Sequence, residues 1–502
     1  MIGKIFGSLT ALLITILGGN VAGQNTVPSP DDVLIEGIYQ DTIKPTSANK
    51  DKDIEVILRI SKFPTVGPGK FDKYVCKVDK QNRFRFVIQS PSDFFYMDIG
   101  FVPNNSFKIW WTRDSRYILQ KGDRIHCTLS HGYFQFSGKG AEKLECQSQL
   151  FKIQYSTTRE DLALEKEVDP NVYLEYFSRK RDSLLDLRLA NVRKFAPVLG
   201  KELTEIMIAN CYGMKYYSEF RGQRILRQSY PNKVNAFINT KEFKNSGNNL
   251  PQTISEKSLV ASPVYCDFLF QKILLESLVF KEGKLDNSKS IIPTAFANIE
   301  NNYTGLVKEK LLTLFFLYYN SMGNPEIMNH FDQGVTLVKS PDYLEILTDI
   351  KQRKSNGKPF FPFEMEDENG SLVRLADFKD KIVILDFWFT GCSGCATLTR
   401  FLKPVYEKYK DNPRVKFVTV CIDSDKSMWM KSVKSGVYTH TGSINLYAGG
   451  HSASTSQMHP LIKAYDIKSY PTLFILKDTI MFSSMPPLNN NERLMEIIEE
   501  AL

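Results

Sequence analysis

The chain has 502 residues, which is too long for one ordinary hydrophobic core and predicts about three domains. Hydrophobic residues make up 42% of the sequence and charged residues 24%, without an internal repeat or a low-complexity tract, which is typical of a globular rather than a disordered protein. The formal net charge of +8 comes from basic residues dispersed among acidic ones, so no basic stripe supports nucleic-acid binding.

Residues 1–23 have the features of a secretory signal peptide. Lys4 precedes an apolar stretch at 5–17, and small residues follow at 21–23. The stretch is shorter than the roughly 20 residues that a helix needs to cross a bilayer, which favours cleavage over a membrane anchor. No cysteine lies near the cleavage site to accept a lipid, and the other apolar run, 311–319, is too short to span a membrane. We therefore expect an exported protein with no transmembrane segment after cleavage.

Two regions with different periodicity follow. Residues 31–152 alternate in the manner of strands and contain turn signals, which predicts a β-rich domain with an antiparallel β-sandwich. Residues 158–353 change to helical periods with long charged faces, which predicts an α-helical region. The predicted strands are 54–60, 83–88, 107–111 and 124–129, and the predicted helices are 172–192, 201–217, 264–280 and 306–320.

A polar, turn-forming stretch at 354–359 separates these regions from the last domain, 357–502. Its residues 382–388 form an apolar run with one acid inside it, the pattern of a buried central strand. Strands that alternate with helices imply an α/β sheet with crossover connections. The predicted elements are a hairpin at 361–365 and 372–375, a helix after Cys392 that is interrupted at Pro404, a strand at 415–422, a helix at 458–465, strands at 472–477 and 479–483, and a closing helix at 490–501.

The pair Cys392 and Cys395 lies where the central strand ends and a helix begins. A cysteine in the first turn of a helix has its thiolate stabilised by free backbone amides and by the helix dipole, so it becomes a nucleophile at neutral pH. The spacing of the pair lets Cys395 resolve a mixed disulfide formed by Cys392. Half of a zinc site is the alternative, but no second Cys or His pair has zinc spacing, so the redox dithiol is favoured and neither metal nor cofactor is expected.

Several ordered motifs around this pair resemble the thioredoxin-like superfamily, and more closely its TlpA and ResA branch of exported thiol-disulfide oxidoreductases. They are the Gly-Lys-Pro sequence at 357–359, the Asp-Glu-Asn-Gly turn at 367–370, Leu-Ala-Asp-Phe-Lys at 375–379, Asp-Phe-Trp at 386–388, the CxxC pair, and Tyr-Pro-Thr at 470–472. The similarity covers about 145 residues and implies a C-terminal thioredoxin-like fold.

The resemblance also implies roles for particular residues. The Tyr470-Pro471 bond is expected to be cis, and Trp388, Tyr470, Pro471 and Thr472 are expected to line a groove where a substrate chain pairs with the backbone. Asp386 occupies the position of a buried acid that handles the proton of the resolving cysteine. A buried structural acid is the alternative interpretation for Asp386.

This sequence departs from the usual pattern at three places. Gly391 replaces the tryptophan before the first cysteine, Ser-Gly at 393–394 lacks a proline, and Thr419 falls where thioredoxins often have a lysine near the buried acid. The residues between the cysteines help to set the reduction potential, so the direction of electron flow is left open. Cys421, in the strand 415–422, is interpreted as a buried apolar cysteine, with a redox role as the alternative. The sequence leaves open the pairing of five further cysteines: Cys76, Cys127, Cys146, Cys211 and Cys266.

The front two thirds resemble the accessory region of large exported thioredoxin-like proteins of Bacteroidota-type bacteria, through Gly-Asp at 122–123 and the motif at 136–142. Together the resemblances imply a periplasmic oxidoreductase of cell redox homeostasis, which reduces disulfide-containing proteins and receives electrons from a membrane donor. The alternatives are a disulfide oxidase or isomerase, and a partner-binding protein with a mainly structural thioredoxin-like domain.

Overall fold

The structure is a computed structural model, and the residues that it describes are 27–40, 54–65, 71–103, 110–111, 116–130, 133–153, 170–227, 231–247, 250–251, 253–286, 288–322, 324–353, 356–449, 459–465, 467, 469–488 and 490–502. The predicted signal peptide lies outside these residues. Two compact units can be separated, a β-rich unit and a unit that holds the helical and thioredoxin-like regions. No helix among the described residues is long and apolar enough to cross a membrane.

The β-rich unit contains two sheets around one core. Their strand orders are β4-β1-β8-β9 and β3-β2-β5-β6, and β7 also pairs with β5. Ile35 and Phe86 of the first sheet share a buried cluster with Leu58 and Phe95 of the second, so the predicted sandwich is confirmed. The strands are β1 (Val33–Gln40), β2 (Ile54–Ser61), β3 (Asp72–Lys77), β4 (Arg83–Ile88), β5 (Phe94–Pro103), β6 (Trp110–Trp111), β7 (Tyr117–Gln120), β8 (Arg124–Ser130) and β9 (Tyr133–Lys139).

The sandwich is not wholly antiparallel, which corrects the prediction. Strands β1 and β8 run parallel, with Leu34 opposite Arg124 and Gln40 opposite Ser130. Parallel neighbours need a long connection, and here the intervening strands β2 to β7 supply it. Side-chain alternation reports which face is buried but not strand direction, so the sequence pattern could not reveal this pairing. The start of the predicted strand 107–111 lies outside the described residues.

The helical region is confirmed, with changes at helix ends. The predicted helices 172–192 and 201–217 belong to one span, α2, broken at Gly200, where φ is 73° and ψ is 176°. The predicted helix 264–280 ends earlier, at Glu276, and Phe280 begins a short strand. The elements are α1 (Ala141–Lys152), α2 (Pro170–Leu226), α3 (Pro231–Ile238), α4 (Lys241–Asn245), α5 (Glu256–Ala261), α6 (Tyr265–Glu276), β10 (Phe280–Lys281), β11 (Lys284–Leu285), α7 (Ile292–Asn302), α8 (Gly305–Ser321), α9 (Phe331–Thr336) and α10 (Pro341–Arg353).

The last region is built on a mixed sheet with strand order β13-β12-β16-β15-β14-β17-β18. Strand β14 lies between a parallel neighbour, β15, and an antiparallel one, β17. The predicted interruption at Pro404 is wrong, because α11 continues through this proline to Tyr409. The elements are β12 (Glu364–Asp367), β13 (Leu372–Arg374), β14 (Ile382–Trp388), α11 (Ser393–Tyr409), β15 (Val415–Cys421), α12 (Lys426–Ser435), β16 (Ile444–Tyr447), α13 (Pro460–Ala464), β17 (Thr472–Lys477), β18 (Ile480–Ser483) and α14 (Asn491–Ala501).

The two faces of β14 belong to different cores. Ile382 and Ile384 pack with Leu398 of α11, whereas Leu385 and Phe387 pack in the cluster on the other side. Successive side chains of a strand point to opposite faces, so Asp386 shares the face of Ile384 and therefore of α11. The helix that carries Cys395 thus covers the face on which the buried acid lies.

Within the second unit, the helical region contacts the thioredoxin-like region. The guanidinium of Arg353 donates to the carbonyl oxygens of Lys463 and Ala464, at 3.0 and 3.4 Å. Met485 is buried in the hydrophobic cluster of the helical region. The hydroxyl of Ser469 donates to the carbonyl of Ser321, at the end of α8, at 2.5 Å. The helical region therefore holds the loop that leads to Pro471.

Candidate active site

The two cysteines are joined in a disulfide at the start of α11. Cys392 is the N-cap of this helix, and the backbone N–H of Cys395 lies 3.0 Å from its Sγ. Free N–H groups at a helix start stabilise a thiolate there, which lowers the pKa of such a thiol. Cys392 retains 6% of its surface and Cys395 none, so Cys392 is the cysteine nearer to a substrate. This geometry fits attack by Cys392 and resolution by Cys395.

The loop before β17 lies against the disulfide. The Tyr470-Pro471 peptide bond is cis, as expected from the resemblance, and the Sγ of Cys392 lies 3.8 Å from the carbonyl oxygen of Tyr470. A Cβ at Gly394 would come within 3.2 Å of the Cδ of Pro471, so glycine allows the close approach of helix and loop. Tyr470, Pro471 and Thr472 remain partly exposed beside Cys392, as residues of a substrate groove must be.

Asp386 is buried on β14, with 5% of its surface exposed. Its Oδ1 has no hydrogen-bond partner among the described residues, and burial raises the pKa of its carboxyl well above the ordinary value. Thr419 is its register partner on β15, and its hydroxyl bonds to the side chain of Asn445, at 2.9 Å. Threonine supplies no positive charge to stabilise the carboxylate. The carboxylate of Asp386 is therefore a stronger base than that of an exposed aspartate.

Trp388 is the one predicted groove residue whose side chain does not reach a surface. It is fully buried, and its ring stacks on that of Tyr438 with centroids 4.8 Å apart. Trp388 is the last residue of β14 and shares the sheet face of Ile384 and Asp386. Its side chain therefore belongs to the buried core and does not line the predicted substrate groove. Cys421 and Trp429 complete the same buried cluster, and burial raises the pKa of the Cys421 thiol.

Sequence reasoning missed a set of side chains that hold residues 389–392. The carboxylate of Asp423 accepts from both the backbone N–H, at 2.9 Å, and the hydroxyl of Thr390. The Thr390 hydroxyl also lies 2.7 Å from that of Ser432 on α12. The phenol oxygen of Tyr438 accepts from the N–H of Gly391, at 2.9 Å. These residues follow the next strand and helix, and no spacing in the sequence relates them to the CxxC pair.

Comparison with known proteins agrees with this geometry. Residues 380–480 match the family model described as Thioredoxin-like. Residues 380–480 have a thioredoxin-like fold. Among curated proteins, thiol-disulfide oxidoreductase ResA of Bacillus thuringiensis subsp. konkukian is 26% identical over 151 residues, which cover 30% of this chain and 80% of that protein. ResA of Bacillus subtilis is 27% identical over 126 residues, which cover 25% of this chain and 64% of that protein.

Solved structures also match part of this chain. The thioredoxin domain of a thiol-disulfide oxidoreductase from Bacteroides vulgatus is 21% identical, covers 30% of this chain and 99% of its own, and has a TM-score of 0.25. The curated relatives carry the name of thiol-disulfide oxidoreductases, in agreement with the enzyme class predicted from the sequence.

Proposed function

We propose that this protein is a periplasmic thiol-disulfide oxidoreductase that reduces protein disulfides through Cys392 and Cys395. The observation that carries the proposal is the disulfide at the start of α11, in which Cys392 is the more exposed cysteine and its Sγ lies 3.8 Å from the Tyr470 carbonyl oxygen. Asp386, with its raised pKa, lies on the sheet face that α11 covers. These features supply a nucleophile, a resolving thiol and a proton carrier.

The reduced enzyme begins the reaction. The Cys392 thiolate attacks one sulfur of a substrate disulfide, forms a mixed disulfide and releases the other substrate sulfur as a thiolate. Asp386, as a carboxylate, takes the proton of Cys395, whose thiolate then attacks the Sγ of Cys392 and releases the second substrate sulfur. Two electrons pass to the substrate, and the enzyme is left with the Cys392–Cys395 disulfide. A membrane-bound dithiol donor returns it to the reduced state.

Tyr470, Pro471 and Thr472 form the substrate groove in this proposal. Tyr470 and Pro471 precede β17, which begins at Thr472, and the backbone of the partly exposed Tyr470 can pair with an extended substrate segment as an added strand. The helical region supports the loop through the bond between Ser321 and Ser469. Export is supported by the sequence features of residues 1–23, and a periplasmic location by the resemblance of the front two thirds to exported proteins of Bacteroidota-type bacteria.

The reduction potential of the Cys392–Cys395 pair tests the direction of electron flow. Purified mature protein is equilibrated with glutathione or dithiothreitol buffers, and thiol alkylation is followed. A potential near or below about −270 mV supports a reductase, whereas one near about −120 mV indicates an oxidase.

Replacement of the nucleophile tests the reaction itself. Cys392→Ser should abolish reduction of a protein disulfide, because serine is not a nucleophile of this kind at neutral pH, and Cys395→Ser should accumulate the mixed disulfide. Cys127→Ala, a change at a buried thiol of the β-rich unit, serves as the matched control and should retain turnover. If Cys392→Ser binds the partner as well as the wild-type protein, and if the wild-type dithiol is never oxidised and reduced during the assay, the protein is a binding module.

A further inference from the structure

The turn that precedes Cys392 is held at consecutive backbone N–H groups. The N–H of Thr390 donates to Asp423, that of Gly391 to Tyr438, and that of Cys392 to the carbonyl of Phe389, at 3.2 Å. Asp423 and Tyr438 lie on segments distant in sequence, after β15 and after α12. The position of the nucleophile thus depends on side chains outside its own helix and strand.

Gly391 makes this support necessary. Its φ is 90°, a backbone conformation that residues other than glycine rarely adopt, and no atom lies within 4 Å of the position that its Cβ would take. A tryptophan at this position would add its own packing, but glycine adds none. Its peptide is therefore held in place by hydrogen bonds, and the bond from its N–H is the one to Tyr438.

Tyr438 is well suited to hold that peptide. Its ring lies parallel to the indole of Trp388, with an interplanar angle of 8° and a centroid distance of 4.8 Å. Trp388 is fully buried at the end of β14, so it supplies a rigid base for the tyrosine. The stack fixes the phenol oxygen, and the phenol oxygen in turn fixes the Gly391 N–H.

We propose that Tyr438 is a positioning residue for Cys392, which keeps the nucleophile at the N-cap of α11 and so keeps its thiolate stable. The proposal rests on the proposed function, since it concerns the same dithiol. In the reduced protein, the Cys392 thiolate is stabilised by the helix start, where its Sγ faces the N–H of Cys395. That stabilisation requires a fixed turn, because a free Gly391 peptide lets the sulfur leave the N-cap position.

The test is Tyr438→Phe, which retains the ring on Trp388 and removes only the acceptor of the Gly391 N–H. Reduced protein is alkylated with iodoacetamide across pH, so that the rate reports the pKa of Cys392 without any substrate. We expect a raised pKa and, at pH 7, alkylation slowed about fivefold, as for the loss of one ordinary hydrogen bond. A less stable thiolate also makes the disulfide harder to reduce, by about 20 mV for a fivefold change.

The matched control is Tyr409→Phe. Tyr409 is the last residue of α11, and the change removes its hydroxyl, which bonds to Glu499 on α14. Amide hydrogen exchange at Gly391 gives a second readout, which should speed up in Tyr438→Phe alone. Faster exchange at Gly391 together with an unchanged Cys392 pKa would overturn the proposal, because Tyr438 would then be only structural.

A second variant covers the case in which Tyr438→Phe is poorly folded. Thr390→Val removes the hydroxyl that contacts Asp423 and Ser432 and leaves Tyr438 intact. Thr390→Val should also raise the pKa of Cys392. An unchanged pKa in this variant would contradict the proposal that the turn before Cys392 must be fixed by hydrogen bonds. If the dithiol fails to reduce substrates while the pKa shift is found, the proposed function fails and the role of Tyr438 stands.

Discussion

Each of the two regions of the second unit buries an ionisable side chain whose pKa is shifted toward the neutral form, and the surroundings of these two side chains differ. In the thioredoxin-like region, Asp386 is buried with an oxygen that has no partner among the described residues. In the helical region, Lys310 on α8 is fully buried. Burial raises the pKa of Asp386 and lowers that of Lys310 to about 7, so both groups are driven toward their neutral forms.

The neighbours of Lys310 indicate a structural role, whereas those of Asp386 fit a catalytic one. The ammonium of Lys310 donates to the carbonyl of Pro64 and lies 3.4 Å from the ring centroid of Phe63. Next to it, the hydroxyl of Thr65 bonds to Asp267 on α6, at 3.2 Å. The polar groups around Lys310 thus fasten residues 63–65 to the helical core. The Oδ1 of Asp386 has no such partner among the described residues, and Asp386 lies on the sheet face that the helix of the dithiol covers.

A shifted pKa therefore does not by itself mark an active site. The pKa of a structural ionisable group also shifts when the group is buried. A catalytic group is distinguished by a polar atom without a hydrogen-bond partner and by a reactive neighbour. Asp386 has both, whereas Lys310 has a carbonyl acceptor and an aromatic ring. The two side chains can be compared directly by neutralising each one in turn.

The largest effect is expected for Asp386→Asn. Without a proton acceptor, attack of Cys395 on the mixed disulfide should slow by about 100-fold to 10,000-fold, measured by stopped-flow with a protein disulfide. Because the folded-state pKa of Asp386 is raised, the stability from its protonated form is present at low pH and lost as pH rises through that pKa. Asp386→Asn should escape this loss and unfold at higher denaturant concentration at neutral pH.

Lys310→Met is the matched control for this variant, since it removes a buried ionisable group of the helical region and should leave the rate unchanged. If Asp386→Asn turns over at the wild-type rate but is more stable, Asp386 is a structural acid and the two sites are alike.

Asp386 and Lys310 also show how far the sequence could be read. The apolar run at 382–388, the CxxC pair and Tyr470-Pro471 follow each other in a fixed order, so the strand, the helix start, the dithiol and the acid could be predicted. Lys310 directly precedes an apolar run and looks like an ordinary surface residue at the helix edge. Its partner Pro64 is 246 residues away in sequence, a separation that no periodicity spans.

Tyr438 was unpredictable for the same reason. Its contacts with Trp388 and Gly391 arise only when α12 folds back onto the end of β14, and a tyrosine after a helix is usually a surface residue. The parallel pairing of β1 and β8 belongs to this class too, because strand direction depends on tertiary packing. Local pattern thus predicted elements and the linear motif, and contacts between distant segments required the structure.

The next effect concerns Lys310 and pH. Its folded-state pKa of about 7 lies below that of an unfolded lysine, so the folded protein binds fewer protons between these two values. Its contribution to stability is therefore complete above the unfolded pKa and is lost as pH falls to about 7, with a slope of about 1 kcal/mol per pH unit. Lys310→Met should remove this slope from urea unfolding curves measured between pH 7 and 10, and parallel pH profiles for the two proteins would contradict it.

The smallest effect is expected for Thr65→Val, which keeps the shape of the side chain and removes the hydroxyl that bonds to Asp267. Thr65 and Asp267 are both buried, so the carboxylate loses a partner that water does not readily replace. The free energy of unfolding should fall by about 1 to 2 kcal/mol, with no change in the alkylation rate of Cys392. Thr65→Ser, which retains the hydroxyl, is the control. Slower alkylation of Cys392 in Thr65→Val would mean that residues 63–65 affect the dithiol. The buried polar groups around Lys310 would then not be purely structural.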